Sequence, residues 1–320
     1  MESEKGKMKK RYRIIAAVVA TILLYIGSRT YFNYKLKAYD RDNALLLQTQ
    51  YIANALRLEE ELHTRGVDLS EEYSSLIATK ANQILKIDLD AGYALDAKLI
   101  AEMCYIADRT GSRKTGELQE LLKNYYNKEL KLFQELPTEN EEGGIEIYEN
   151  ITIYNELKGT HLLDGYDLKD GLVSWFNENK SKKDKKDEIG SLIWCLYENG
   201  YINELDEKAV KKILEQEITE VKKEYESMEQ SNISAVLCAD ELNAYYTFYY
   251  DDNRFEKQIQ KIYENINSKE ELEYAENDAS FISFLDDFFK AVPKIDENNY
   301  IIRNISDLLL ENYYGTFKES

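Results

Sequence analysis

Proline is almost missing from this chain: Pro137 and Pro293 are the only two in 320 residues, and glycine is held to 14. So few breakers let helices run long and disfavour a sheet-rich fold, which needs a turn signal every few residues. Histidine is as scarce, with only His63 and His161, almost a hundred residues apart. Zinc chemistry needs several nitrogen or sulfur ligands at helical or short-loop spacing, and neither HExxH nor CxxC is present. The three cysteines, Cys104, Cys195 and Cys238, are too few for a disulfide framework. Each sits in an apolar helical stretch, where an unpaired thiol behaves as a small hydrophobe.

Other signatures are missing too. There is no GxSxG elbow, no GxGxxG and no phosphate-binding loop, so neither a serine hydrolase nor a nucleotide-dependent enzyme is expected. A calcium loop starting at Asp88 fails, because its sixth and twelfth positions hold Tyr93 and Leu99 where Gly and Glu are needed. No metal and no cofactor is therefore expected. The Asn-x-Ser/Thr sites at Asn150, Asn232 and Asn304 are expected by chance in an Asn-rich chain.

What is present begins at the N-terminus. Lys5, Lys7, Lys9, Lys10, Arg11 and Arg13 precede an uncharged run from Ile14 to Ser28. Tyr12 on one side and Tyr25, Tyr31 and Phe32 on the other extend it with rings suited to the headgroup level, and Arg13 and Arg29 can snorkel. Residues 12–32 are thus expected to cross a membrane as one helix, which takes about 20 residues. A cleaved signal peptide is the competing reading, with Ile26-Gly27-Ser28 a mediocre cleavage site. The basic excess before the run sets residues 1–11 in the cytoplasm and the body outside.

After Lys37 the chain carries 58 Asp and Glu against 32 Lys and Arg. Such a surface repels phosphate backbones and anionic headgroups, so no nucleic-acid partner is expected. The one basic cluster, Lys180 to Lys186, is interrupted by Asp184 and reads as a solvated loop.

Apolar periodicity predicts helix after helix, about twelve beyond the anchor. Examples are 38–65, closed by Gly66; a segment capped by Ser70; 91–110, stopped by Gly111; and 117–136, halted by Pro137. Residues 137–144 (PTENEEGG) make the clearest break and a possible subdomain hinge. The stretch after it has β-branched residues but also a helical stripe of Ile147, Tyr148, Ile151, Tyr154 and Leu157, which favours helix. Gly-Tyr pairs at Gly92, Gly165 and Gly200 recur at one and two multiples of roughly 36 residues, a spacing found in helical-hairpin repeats. The expected fold is all-α: an N-terminal transmembrane helix, then antiparallel helical hairpins over 38–320. In outline this succession is similar to α-solenoids of the TPR-like kind and to the α/α toroids that include many carbohydrate-active enzymes.

Two places combine carboxylates with aromatics, the equipment of polysaccharide hydrolysis. In Asp164-Gly165-Tyr166-Asp167 two acids flank a ring, although helix capping also accounts for them. Asp240-Glu241 precedes Tyr245 to Tyr250, where Tyr246 and Tyr250 are placed to leave the core and meet a ligand. Asp164, Asp167, Asp240 and Glu241 are the candidate catalytic residues, and Tyr166, Tyr246 and Tyr250 the candidate binding residues. The leading expectation is a membrane-anchored extracytoplasmic helical protein that binds a protein partner or serves cell-envelope assembly. The alternative is a membrane-tethered α/α-toroid glycoside hydrolase or lyase acting on envelope polysaccharide through an Asp/Glu pair.

Overall fold

A computed structural model describes residues 37–89, 93–136, 144–228, 233–272 and 280–317. The expected tail at 1–11, the anchor at 12–32 and most of the 137–144 break lie outside the described residues. Among the described residues no helix is long and apolar enough to cross a membrane.

The described chain is mostly helical, with twelve α-helices and few strands. They are α1 (residues 37–64), α2 (Glu71–Ile84), α3 (Ala97–Arg109), α4 (Thr115–Lys123), α5 (Ile147–Leu157) and α6 (Leu168–Asn179), followed by α7 (Lys186–Glu198), α8 (Glu207–Ser227), α9 (Ile233–Tyr250), α10 (Glu256–Asn265), α11 (Phe281–Ala291) and α12 (Tyr300–Phe317). The chain divides into two units, a small one containing 37–46 with 89, 93 and 94, and a large one containing 47–88 and everything from Leu95 on. In the small unit the Arg41 guanidinium lies 4.0 Å over the Tyr93 ring, and Asp42 accepts the Ala94 N–H at 3.3 Å.

Within the large unit burial separates two layers. The odd-numbered helices are covered on broad faces: α3 buries Ala97 and the whole run Leu99 to Ala107, and α11 buries Phe281, Ile282, Leu285, Asp286, Phe288, Phe289 and Ala291. Even-numbered helices bury a narrow stripe, as in Tyr73, Ile77, Ala81 and Ile84 of α2, or only Val210 and Leu214 of α8. A stripe at i, i+4, i+8 is what a helix shows when one side faces a core and the other faces water. α3 packs on α4 and α5, α5 on α6 and α7, α7 on α8, α8 on α9, and α9 on α10 and α11.

The last hairpin also meets the first. α12 packs on α2. The Ser70 N–H donates to Ser306 Oγ at 2.9 Å, Arg65 donates to the Val292 carbonyl at 2.6 Å, and Tyr51 sits edge-on to Tyr313 and Phe317.

Helix ends follow ordinary terminal chemistry. Ser70, Asp96 and Asp206 cap α2, α3 and α8 by accepting backbone N–H groups two to three residues on. α1, α3, α5, α7 and α9 are each followed by a residue with positive φ, in turn Gly66, Gly111, Gly159, Gly200 and Asp251. At Gly200 the Tyr201 N–H returns to the Leu196 carbonyl at 2.8 Å, the six-to-one bond of a Schellman ending.

One expected helix is broken. Residues 117–136 hold α4 only to Lys123, and then a hairpin pairs β1 (Tyr126–Asn127) with β2 (Leu132–Phe133). Asn127 Oδ1 accepts the N–H groups of Glu129 and Leu130 at 3.0 and 3.1 Å, and Lys131 takes φ of 57°, so the turn is made without glycine or proline. Asn150 of α5 then clamps β2, accepting the Phe133 N–H at 2.7 Å and donating to its carbonyl at 2.9 Å. The basic cluster is likewise only partly loop, since α7 begins at Lys186.

Candidate active site

A charged side chain in the covered face of a helix costs several kcal/mol unless something offsets it. The odd-numbered helices carry several. On α1, Arg57 donates to Asn54 Oδ1 at 2.6 Å, stands 3.5 Å from Glu156 of α5, and lies 4.6 Å over the Tyr105 ring of α3. Glu102 of α3 has no exposure, and neither of its oxygens has a hydrogen-bond partner. Burial and then the nearby Glu156 push the Glu102 carboxyl far above its ordinary range, so it is held neutral. Burial raises Glu156 as well, but Arg57 opposes that rise and favours Glu156 as the ionised member.

A second acidic group lies on α7, α9 and α11. Burial, then Glu198 at the end of α7, then Asp287 of α11 push Asp240 of α9 up to about 6. Asp287 is open to solvent on one side yet crowded on the others. Burial pushes it up to about 6, Asp286 and Glu198 add to the rise, and Lys290 and Arg57 oppose it. Asp286 is buried and accepts Lys290 at 2.5 Å. Each of the six odd helices thus contributes an ionisable group to one electrostatically linked set: Arg57, Glu102, Glu156, Glu198, Asp240 and Asp287. Among the described residues no three His, Cys, Asp or Glu side chains are grouped so as to hold a metal ion.

Chemically, the two groups differ. Arg57, Glu102 and Glu156 are sealed and serve packing. Asp240, Asp287 and Glu198 are reachable from solvent. Carboxyls whose surroundings hold protons to about pH 6 suit general acid and base work near neutrality. No cation opposes the rise at Asp240, whereas Lys290 and Arg57 both favour ionised Asp287. Both carboxyls are pushed up to about 6 all the same.

Of the residues singled out from sequence, Asp240 alone enters this set. Its neighbour Glu241 turns toward Glu224 of α8 and is raised by burial and that contact. Asp164 is exposed in the turn before α6. Asp167 occupies the N-cap position of α6 without a side-chain cap bond, and Lys131 lies 3.5 Å from it. The Tyr166 ring is wedged against Tyr126 and Phe133, at 4.8 and 5.1 Å. Tyr246 packs on Phe255 at 5.5 Å and under the Arg254 guanidinium at 4.5 Å, and Tyr250 is 62% exposed. Tyr166 and Asp167 line one cleft at the start of α6, while Tyr246 and Tyr250 belong to α9.

Sequence reading missed Arg57, Glu102, Glu156, Glu198 and Asp287 because they come from separate helices. A usable signal existed: an acid inside an apolar run, as in Ala101-Glu102-Met103 or Leu285-Asp286-Asp287-Phe288.

All three cysteines are free, with Cys104 and Cys195 buried. Burial pushes those two thiols up to about 12 and Cys238 up to about 11, so none is an activated nucleophile.

Comparisons with protein-family models, curated proteins and solved structures return no match.

Proposed function

We propose that the body is a closed ring of six helical hairpins, an α/α toroid, that cleaves glycans with acids carried on its inner helices. Contacts between the first and last hairpins support ring closure, as do positive-φ endings roughly 45 residues apart, the size of a hairpin unit. The observation that carries the function is the reachable acidic set of Asp240, Asp287 and Glu198, contributed by three different inner helices. In the proposed reaction Asp240 protonates the departing glycosidic oxygen. Asp287, ionised, acts from the other side, on water or on the sugar carbon.

A protein-binding role has less behind it. The exposed rings Tyr148, Tyr250 and Tyr314 lie on three different helices, α5, α9 and α12. The proposed setting is the outer side of a cell membrane, with residues 12–32 as the anchor and residues 1–11 in the cytoplasm. Envelope polysaccharide is then the substrate within reach.

The test is release of reducing ends from a panel of envelope polysaccharides by the full chain. Asp240→Asn and Asp287→Asn are each expected to lower turnover at least a thousandfold while folding normally. Unchanged cleavage in both would refute the assignment.

A further inference from the structure

The inner helices are unequal in reach. Glu156 is the penultimate residue of α5 and Glu198 the last of α7, so two members of the charged set stand where their helices stop. A cleft of about 480 Å³ opens at that point, lined by Tyr154, Lys158, Asn199 and Tyr201 among others. Its size lies within the ~300–1,000 Å³ of small-molecule sites.

Its lining is mixed in a particular way. Tyr201 supplies a half-buried ring, with the Lys169 ammonium 5.2 Å from its centroid, whereas Tyr154 is buried. Lys158 is exposed and has no ion-pair or side-chain hydrogen-bond partner among the described residues. Asn199 is fixed by donation from Nδ2 to the Cys195 carbonyl at 2.6 Å, which leaves its Oδ1 as an acceptor. Charges of the lining balance: Lys158 and Lys169 stand against Asp167 and Asp170, with Lys169 3.3 Å from Asp170. A polyanion meets the repulsion of the acidic body, and a polycation meets the bare ammonium of Lys158. An uncharged pyranose ring meets neither. Its C–H face suits a tyrosine ring, its hydroxyls suit Asn199 Oδ1, and an acetamido carbonyl or ring oxygen suits the Lys158 donors.

We infer that this cleft is a saccharide subsite that holds an uncharged sugar unit on Tyr201, with Lys158 and Asn199, the residue next to Glu198, fixing its polar groups. The inference rests on the glycan-cleaving reading, but its test does not depend on turnover. The experiment is calorimetric titration of the full-length Asp240→Asn protein in detergent with three probes: tri-N-acetylchitotriose and cellotriose, both neutral, and trigalacturonate, an anion. Binding of at least one neutral probe is expected, at least tenfold tighter than trigalacturonate. In the Asp240→Asn background, Tyr201→Ala should weaken it tenfold or more and Lys158→Gln about threefold to tenfold, with unchanged melting temperatures. No binding of either neutral probe, tighter binding of trigalacturonate, or binding indifferent to both substitutions would overturn the subsite. Neutral binding lost with Tyr201→Ala, together with full cleavage by Asp240→Asn, would keep the subsite and discard the catalytic assignment.

Discussion

Asp240 and Asn150 show opposite ways of placing a polar residue inside a helical protein. Asp240 is held in a setting that resists its charge, with its carboxyl pushed up to about 6 by burial, Glu198 and Asp287. A pKa raised on folding stabilises the folded state below the unfolded value, near pH 4, and that contribution is lost as pH rises through about 6. Asp240→Asn removes the cost of ionisation. It is expected to stabilise the body by about 1–2 kcal/mol at pH 7.5 and by little at pH 4, read as a rise of roughly 2–6 °C in melting temperature at the higher pH only. Equal shifts at both pH values would contradict this. Asn150 has no exposure and every amide bond well used. Asn150→Ala strands the Phe133 N–H and carbonyl without partners, and chemical denaturation should report a loss of about 2–4 kcal/mol.

At the element scale, the contact between α6 and the turn of the β1–β2 hairpin depends on the bare backbone of Gly171. A Cβ there would collide with the Lys131 carbonyl, a backbone atom held by its positive φ. Gly171→Ala gains helix propensity, about 1 kcal/mol, yet must displace the hairpin. A net loss of about 1–3 kcal/mol is expected, and a stabilised variant would show that the hairpin yields freely. This hairpin also marks the limit of sequence reading. The stripes of α2 and α5 and the caps at Ser70 and Gly66 were legible because period and punctuation are local. The break after Lys123 was not, since its turn is made by Asn127 and a left-handed Lys131 and is clamped by Asn150 from another helix. Of the Gly-Tyr pairs, Gly165 and Gly200 both take positive φ, and Gly200 ends an odd helix. The recurring feature is the positive-φ ending of the odd helices, which Asp251 supplies after α9 with no glycine at all.

For the whole molecule, the contact between the last hairpin and the first brings distant parts of the chain together, and no local pattern announces it. Ser70 and Ser306 are 236 positions apart in sequence yet share a 2.9 Å hydrogen bond. With the three native cysteines replaced, Ser70→Cys and Ser306→Cys together should allow a short bifunctional thiol reagent to link the two ends within one molecule, visible as faster migration after denaturation. An open stack of hairpins would give only intermolecular products. Asp240 was legible beside its aromatic neighbours, whereas Asp287 and Glu198 act on it from other helices and carry no local sign. The most direct measurement is therefore the pH dependence of kcat/KM for glycan cleavage by the full chain, taken alongside Asp240→Asn. Activity falling as pH rises through about 6, as Asp240 loses its proton, with that limb absent and turnover collapsed in the variant, is the expected result. A profile flat from pH 5 to 8, or one the variant shares unchanged, would contradict an acid held on the inner helices as the centre of the chemistry.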